Sequence, residues 1–87
     1  MTVKTLTWAM HQCLPPAHKL MLIYIAECSN QDGDSNKSKE ELAHFCGVTT
    51  AKVDHVLVDL EASGYIHRRK SSDDAGRVVI RHTGPTE

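Results

Sequence analysis

Between Ser38 and Gly64 the sequence specifies two helices and the turn that joins them. Ser38 followed three residues later by Glu41 makes a capping box: the hydroxyl accepts from the Glu41 backbone N–H and the Glu41 carboxylate returns to Ser38. The run "SKEELAHFC" then predicts a helix from about residue 39 to 46. Gly47 permits a turn, Val48 plugs it, and Thr49 is a natural N-cap for a second helix. Along "TTAKVDHVLVDLE" the residues Val53, Val56, Leu57 and Leu60 form an inward apolar stripe. Thr50, Ala51, Asp54, His55 and Val58 are left facing outward, with Lys52 the only fixed positive charge of the stretch. Gly64 closes the second helix with a left-handed cap.

The flanking segments read as simpler elements. Val3, Leu6, Met10 and Cys13 recur at spacings of three and four, which predicts a short amphipathic helix over 3–13. "LPP" interrupts it, because Pro15 forces Leu14 out of helical geometry while Pro16 fits the first turn of a new helix over 16–28. The apolar run from Leu20 to Ala26 makes that helix the most buried element, or else a surface that meets a second subunit. "NQDGDSN" is a polar turn centred on Gly33. "YIHRRK" and "RVVIRH", separated by "SSDDAG", predict a β-hairpin over 65–82, and 83–87 reads as a frayed tail. The whole of 1–87 is expected to be one domain, with the two-helix unit at 38–63 at its centre.

Charge is distributed unevenly. The net formal charge of −1 is unlike that of a strongly basic nucleic-acid binder. Residues 27–64 hold three lysines against eight acids, whereas residues 65–87 hold five basic residues against three acids. The opening "MTVKTLTWAMHQC" has no basic leader with a long apolar core, and no apolar run reaches membrane-spanning length, which predicts a cytoplasmic chain. Cys13, Cys28 and Cys46 are odd in number and widely spaced, as suits reduced thiols.

The stretches "LPPAHKLMLIYIAE" and "DGDSNKSKEELAHFCGVTTAKVDHVLVDLEASGYIHRR" resemble the winged helix-turn-helix domain of phage and plasmid replication-initiation and regulatory proteins of bacteria. The likeness covers roughly residues 5–82, and its most specific part is the spacing "LA…GVT…V…VL.DLE.SGYI". It implies a mostly α fold with a small β-hairpin wing, a double-stranded DNA partner, and transcription regulation or an accessory role in replication. By position it places Thr49, Thr50, Lys52 and His55 nearest the bases, along with Ala51 and Asp54. Lys37, Lys39, Arg68, Arg69, Lys70 and Arg77 would hold the backbone, where contacts position the protein without specifying sequence.

This chain departs from the family pattern where base readout matters. Arg or Lys is usual at several of the positions occupied here by Thr50, Ala51, His55 and Val58, so direct readout is impoverished. Phe45 stands at a site that is usually polar, and Val58 is apolar on an outward face. With Asp54 beside them, these residues point to a second reading in which the scaffold docks on a host or defence protein. The competing explanation for Phe45 and Val58 is packing against the N-terminal helix. A homodimer is a further expectation, because Leu6, Trp8 and Met10 together with the helix around 20–26 exceed what one small core needs.

Other chemistry is weaker. Asn30, Asp32, Asp34, Asn36, Ser38 and Glu41 fall at positions 1, 3, 5, 7, 9 and 12 of a calcium-loop pattern, but Ser35 stands where the sharp turn wants glycine and Lys37 where a hydrophobe packs. His11 with Cys13, and His44 with Cys46, lack the spacing of a zinc knuckle. No metal or cofactor is expected. No nucleophile beside a base, glycine-rich phosphate loop or paired carboxylates in an apolar setting suggests an enzyme.

Overall fold

The computed structural model describes residues 3–70 and 78–85. In chain order the elements are α1 (Val3–Met10), α2 (Pro16–Glu27), β1 (Asp34–Ser35), α3 (Lys39–Cys46), α4 (Thr50–Ala62), β2 (Ile66–Lys70) and β3 (Val78–His82). The strands form one antiparallel sheet in the order β1-β3-β2. The core joins the apolar stripes of α2 and α4 to the inner face of the sheet. Met21, Leu22 and Ile25 from α2, and Val53, Val56 and Leu60 from α4, are fully buried, and Ile66 and Ile80 close the core from the sheet side. Each such side chain contributes about 1.5–3 kcal/mol on removal from water.

The α3–α4 pair forms as its local chemistry dictates. Ser38 Oγ accepts from the Glu41 N–H at 3.2 Å and Thr49 Oγ1 accepts from the Lys52 N–H at 3.1 Å, each satisfying a donor that the helix itself leaves open. The Glu41 carboxylate faces Lys37, at 3.5 Å from its Nζ, rather than returning to Ser38. Gly47 takes φ 68° at the turn and Gly64 takes φ 84° after α4, the left-handed region that favours glycine. Cys46 is half-buried against the core, and burial pushes its thiol above the ordinary range.

Several expectations are corrected. The helix expected over 3–13 ends at Met10, and the Gln12 side chain caps it by donating to the Trp8 carbonyl at 2.7 Å. Its inward face is not Leu6, Met10 and Cys13. Thr5 and Ala9 are buried, while Met10 and Cys13 are exposed. The rotation follows from Trp8, whose ring lies 5.6 Å from His82 and 6.4 Å from Tyr65 and so fixes which side of α1 meets the body. The helix expected over 16–28 ends one residue earlier, with Cys28 as its C-cap.

The hairpin of β2 and β3 gains a third strand, for Asp34 pairs with Arg81 and Ser35 with Ile80. Asn30 Oδ1 accepts from the N–H groups of Asp32 and Asp34, and this side-chain turn delivers the chain onto the edge of β3. Nor is the segment after the sheet frayed throughout. Thr83 donates from its N–H to the Tyr65 carbonyl at 3.0 Å, and the Pro85 carbonyl accepts from Thr5 Oγ1 at 2.6 Å, tying this segment to α1. Helices that pack on a small antiparallel sheet, with α3 and α4 joined by a tight turn, make a winged helix-turn-helix.

Candidate nucleic-acid interface

The exposed side of α4 carries Thr50, Ala51, Lys52, His55 and Val58. Thr49 stands at its start, where its hydroxyl oxygen accepts the cap hydrogen bond and leaves the O–H free to donate to a neighbouring phosphate or base. Among the described residues Lys52 has no carboxylate within ion-pair distance, and it remains the free cation of this face. Lys39 is differently placed. Its Nζ lies 2.8 Å from Asp54 Oδ1, so the cation expected on the backbone and the acid expected near the bases neutralise each other across the turn.

The same pattern recurs at the other cations. Lys37 faces Glu41. Arg68 is gripped by Glu61: its Nε and Nη2 donate to one carboxylate oxygen at 3.1 and 3.0 Å, and its backbone N–H donates to the other at 3.2 Å. These hydrogen bonds hold the Glu61 carboxyl below its ordinary range and lock α4 to β2. Arg69 turns to Asp34, which it shares with Arg81. Arg77 and the side chain of Lys70 lie outside the described residues.

Two histidines meet on α4. His18 Nε2 of α2 lies 2.9 Å from Asp59 Oδ2, and His55 Nε2 lies 3.4 Å from the same oxygen. The His18 hydrogen bond, with the His55 and Lys52 charges behind it, holds the Asp59 carboxyl below its ordinary range. The neighbourhood of His55 and Asp59 is legible in the sequence as an i, i+4 pair, but nothing local places His18 there, 41 residues away. Asp34 was likewise absent from the expected contact set, because β1 carries no strand signal of its own.

Phe45 and Val58 are 44% and 52% exposed. Among the described residues Phe45 lies outside the core cluster and stacks on Tyr24 of α2, with ring centroids 3.9 Å apart and planes at 15°. In the loop before α3, Asn30 is occupied by the turn and Asp34 by Arg69 and Arg81, while Ser38 serves the cap and Glu41 faces Lys37.

A family model described as a helix-turn-helix domain matches residues 11–66. No curated protein matches the chain.

Proposed function

This chain belongs to the helix-turn-helix domain family, and on that premise we propose that it lays the first two turns of α4 in the major groove of duplex DNA, as a small regulator of transcription or an accessory of replication of phage or plasmid origin. The observation that carries the reading is the state of α4. The outward face of its first two turns is exposed, its N-terminus is capped by Thr49, and the free Lys52 stands beside Thr50 and His55 on that surface. Lys52 would supply phosphate attraction or a guanine contact, Thr50 an adaptable donor and acceptor, and His55 a ring that changes charge near neutral pH.

With so few uncommitted cations, the interface would neutralise only about two or three phosphates, giving a log K against log salt slope of about −2 to −3. Fluorescence anisotropy with random duplex DNA at low and moderate salt tests the proposal. Micromolar binding that weakens with salt and is reduced in Lys52→Ala is the expected result; absence of binding at low salt sinks it.

A second reading, docking on a host or defence protein, draws support from one feature. The Tyr24–Phe45 stack presents an aromatic face to solvent, and Val58 adds an apolar side chain on α4. Retention of a protein partner that competes with DNA, or that binds where DNA does not, would favour it.

A further inference from the structure

Two histidines share one carboxylate where α2 meets α4. We propose that His18, Asp59 and His55 form a proton-linked device that sets the charge of the α4 surface, and with it the affinity for duplex DNA. His18 and Asp59 are its positioning residues, and His55 is the group that gains the proton. This rests on the DNA-binding reading above and adds to it a regulation by pH, through two residues that reading does not use.

The arrangement spans two helices. Asp59 Oδ2 lies 2.9 Å from His18 Nε2 of α2 and 3.4 Å from His55 Nε2, one turn away on α4. An ionised carboxylate has no proton to offer, so His18 donates from Nε2 and its Nδ1 is left bare. The His18 side chain is only 14% exposed, and Nδ1 is buried without a hydrogen-bond partner among the described residues. A proton there would meet no acceptor. The His55 side chain is 66% exposed, so its ring is the one that water can supply with a proton. An exposed i, i+4 contact holds little by itself. The His18 hydrogen bond fixes the carboxylate from the α2 side, and the fixed carboxylate in turn orients the His55 ring on the surface of α4.

The charge count gives the device its direction. Among the described residues the groups facing Asp59 are His18 from α2, and His55 and Lys52 from α4. The charges that α3 and β2 bring to α4, Lys39 and Arg68, are taken by Asp54 and Glu61. The Asp59 carboxyl, held below its ordinary range by the His18 hydrogen bond, stays ionised through mild acid. With both imidazoles neutral, the trio therefore carries one negative charge beside a surface whose free cation is Lys52. One proton on His55 makes the trio neutral and leaves the Lys52 charge unopposed. Imidazoles change charge between about pH 5 and 8, and a phosphate close by favours the protonated form. Proton and DNA then each promote the binding of the other.

The test is anisotropy with random duplex DNA at fixed ionic strength from pH 8 to pH 6, with circular dichroism at each pH to establish that the chain and its variants are folded. The intact chain should bind about threefold to tenfold more tightly at pH 6 than at pH 8, the size expected for removing one net negative charge beside phosphates. His55→Gln should abolish that gain. Asp59→Asn should bind more tightly than the intact chain at pH 8 and gain less on acidification. His18→Ala should also gain less, and His18→Gln, whose amide can still donate to Asp59, should restore the response. A flat profile in an intact chain that binds with the expected salt dependence overturns the proposal and leaves the α4 reading intact. A gain of the same size in folded His55→Gln overturns it as well, by assigning the proton to another histidine. An unchanged gain in folded His18→Ala and Asp59→Asn removes the positioning roles and the proposal with them. Absence of binding at both pH values at low salt overturns this proposal and the DNA-binding reading together.

Discussion

Lys39 and Asp54 meet at 2.8 Å across the turn between α3 and α4, joining a side chain expected on the DNA backbone to one expected near the bases. Both side chains are half-exposed, so the pair orients the two helices more than it stabilises the fold. It also sets the electrostatics of the candidate interface, since it withdraws one lysine from phosphate contact.

Asp54→Asn should therefore strengthen binding to random duplex DNA, by about threefold to tenfold at low salt, because it frees Lys39 and removes a carboxylate from beside the phosphates. Its cost in stability should be small, about 0.5 kcal/mol. Anisotropy and a urea titration on the same variant check both; unchanged or weaker DNA binding would show that this face does not approach the phosphates.

Glu61 is the acid whose loss should be felt in the fold. Glu61→Ala leaves the Arg68 backbone N–H and its partly buried guanidinium without their acceptor, and a destabilisation of about 1–2 kcal/mol is expected after allowing for solvent screening. Because the Glu61 carboxyl is held below its ordinary value of 4.5, the stabilisation is complete above that pH and is lost as pH falls through the lower, folded value. Denaturation of the variant and the parent at pH 7 and pH 3 should show the difference between them shrinking in acid.

His82 should make stability sensitive to milder acid. The side chain is buried at 3% exposure, its Nδ1 accepts from the Gly84 N–H at 3.1 Å, and its Nε2 has no hydrogen-bond partner among the described residues. Protonation would place a charge in the core and convert that acceptor into a donor facing another donor, so burial holds the ring below its ordinary value of 6.5. The unfolded chain then takes up the proton first. Stability is full above about pH 6.5 and declines as pH drops below it towards the folded value. Thermal melts from pH 8 to pH 5 should show this fall, and His82→Gln should flatten it; an equal fall in the variant would assign the effect to other groups.

Gly84 is required for a reason of space. A Cβ there would run into the Trp8 ring, so Gly84→Ala should displace α1 or the segment after β3 and cost about 1–3 kcal/mol. Trp8 is the only tryptophan, which makes its emission a direct reporter: a red shift in the folded variant is expected, and an unshifted spectrum with unchanged melting would show that the ring has room to move.

The two central helices were legible because their determinants are local. Ser38, Gly47, Thr49 and Gly64 act over three or four residues, and the stripe Val53, Val56, Leu57 and Leu60 repeats at helical spacing. The N-terminal helix was legible as a helix but not in its orientation. Leu6 and Met10 outweigh Thr5 and Ala9 in hydrophobicity, yet small residues at the contact and the seating of Trp8 against the sheet decided which face turned inward. The third strand was hidden because Asp34 and Ser35 are polar and only two residues long, and their extended conformation is stabilised by β3 rather than by propensity.

The sequence by itself determined the helix pair, its caps and turn, and the scarcity of cationic side chains on the outward face of α4, because these depend on residue type and short spacing. The tertiary structure alone decided which charges remain available. Asp34 reaches Arg69 and Arg81 over separations of 35 and 47 residues, His18 reaches Asp59 over 41, and no local pattern relates such partners. An ion pair forms where folding brings opposite charges within a few ångströms, and the cations left over or left in excess after that pairing define the surface that an anionic partner would meet.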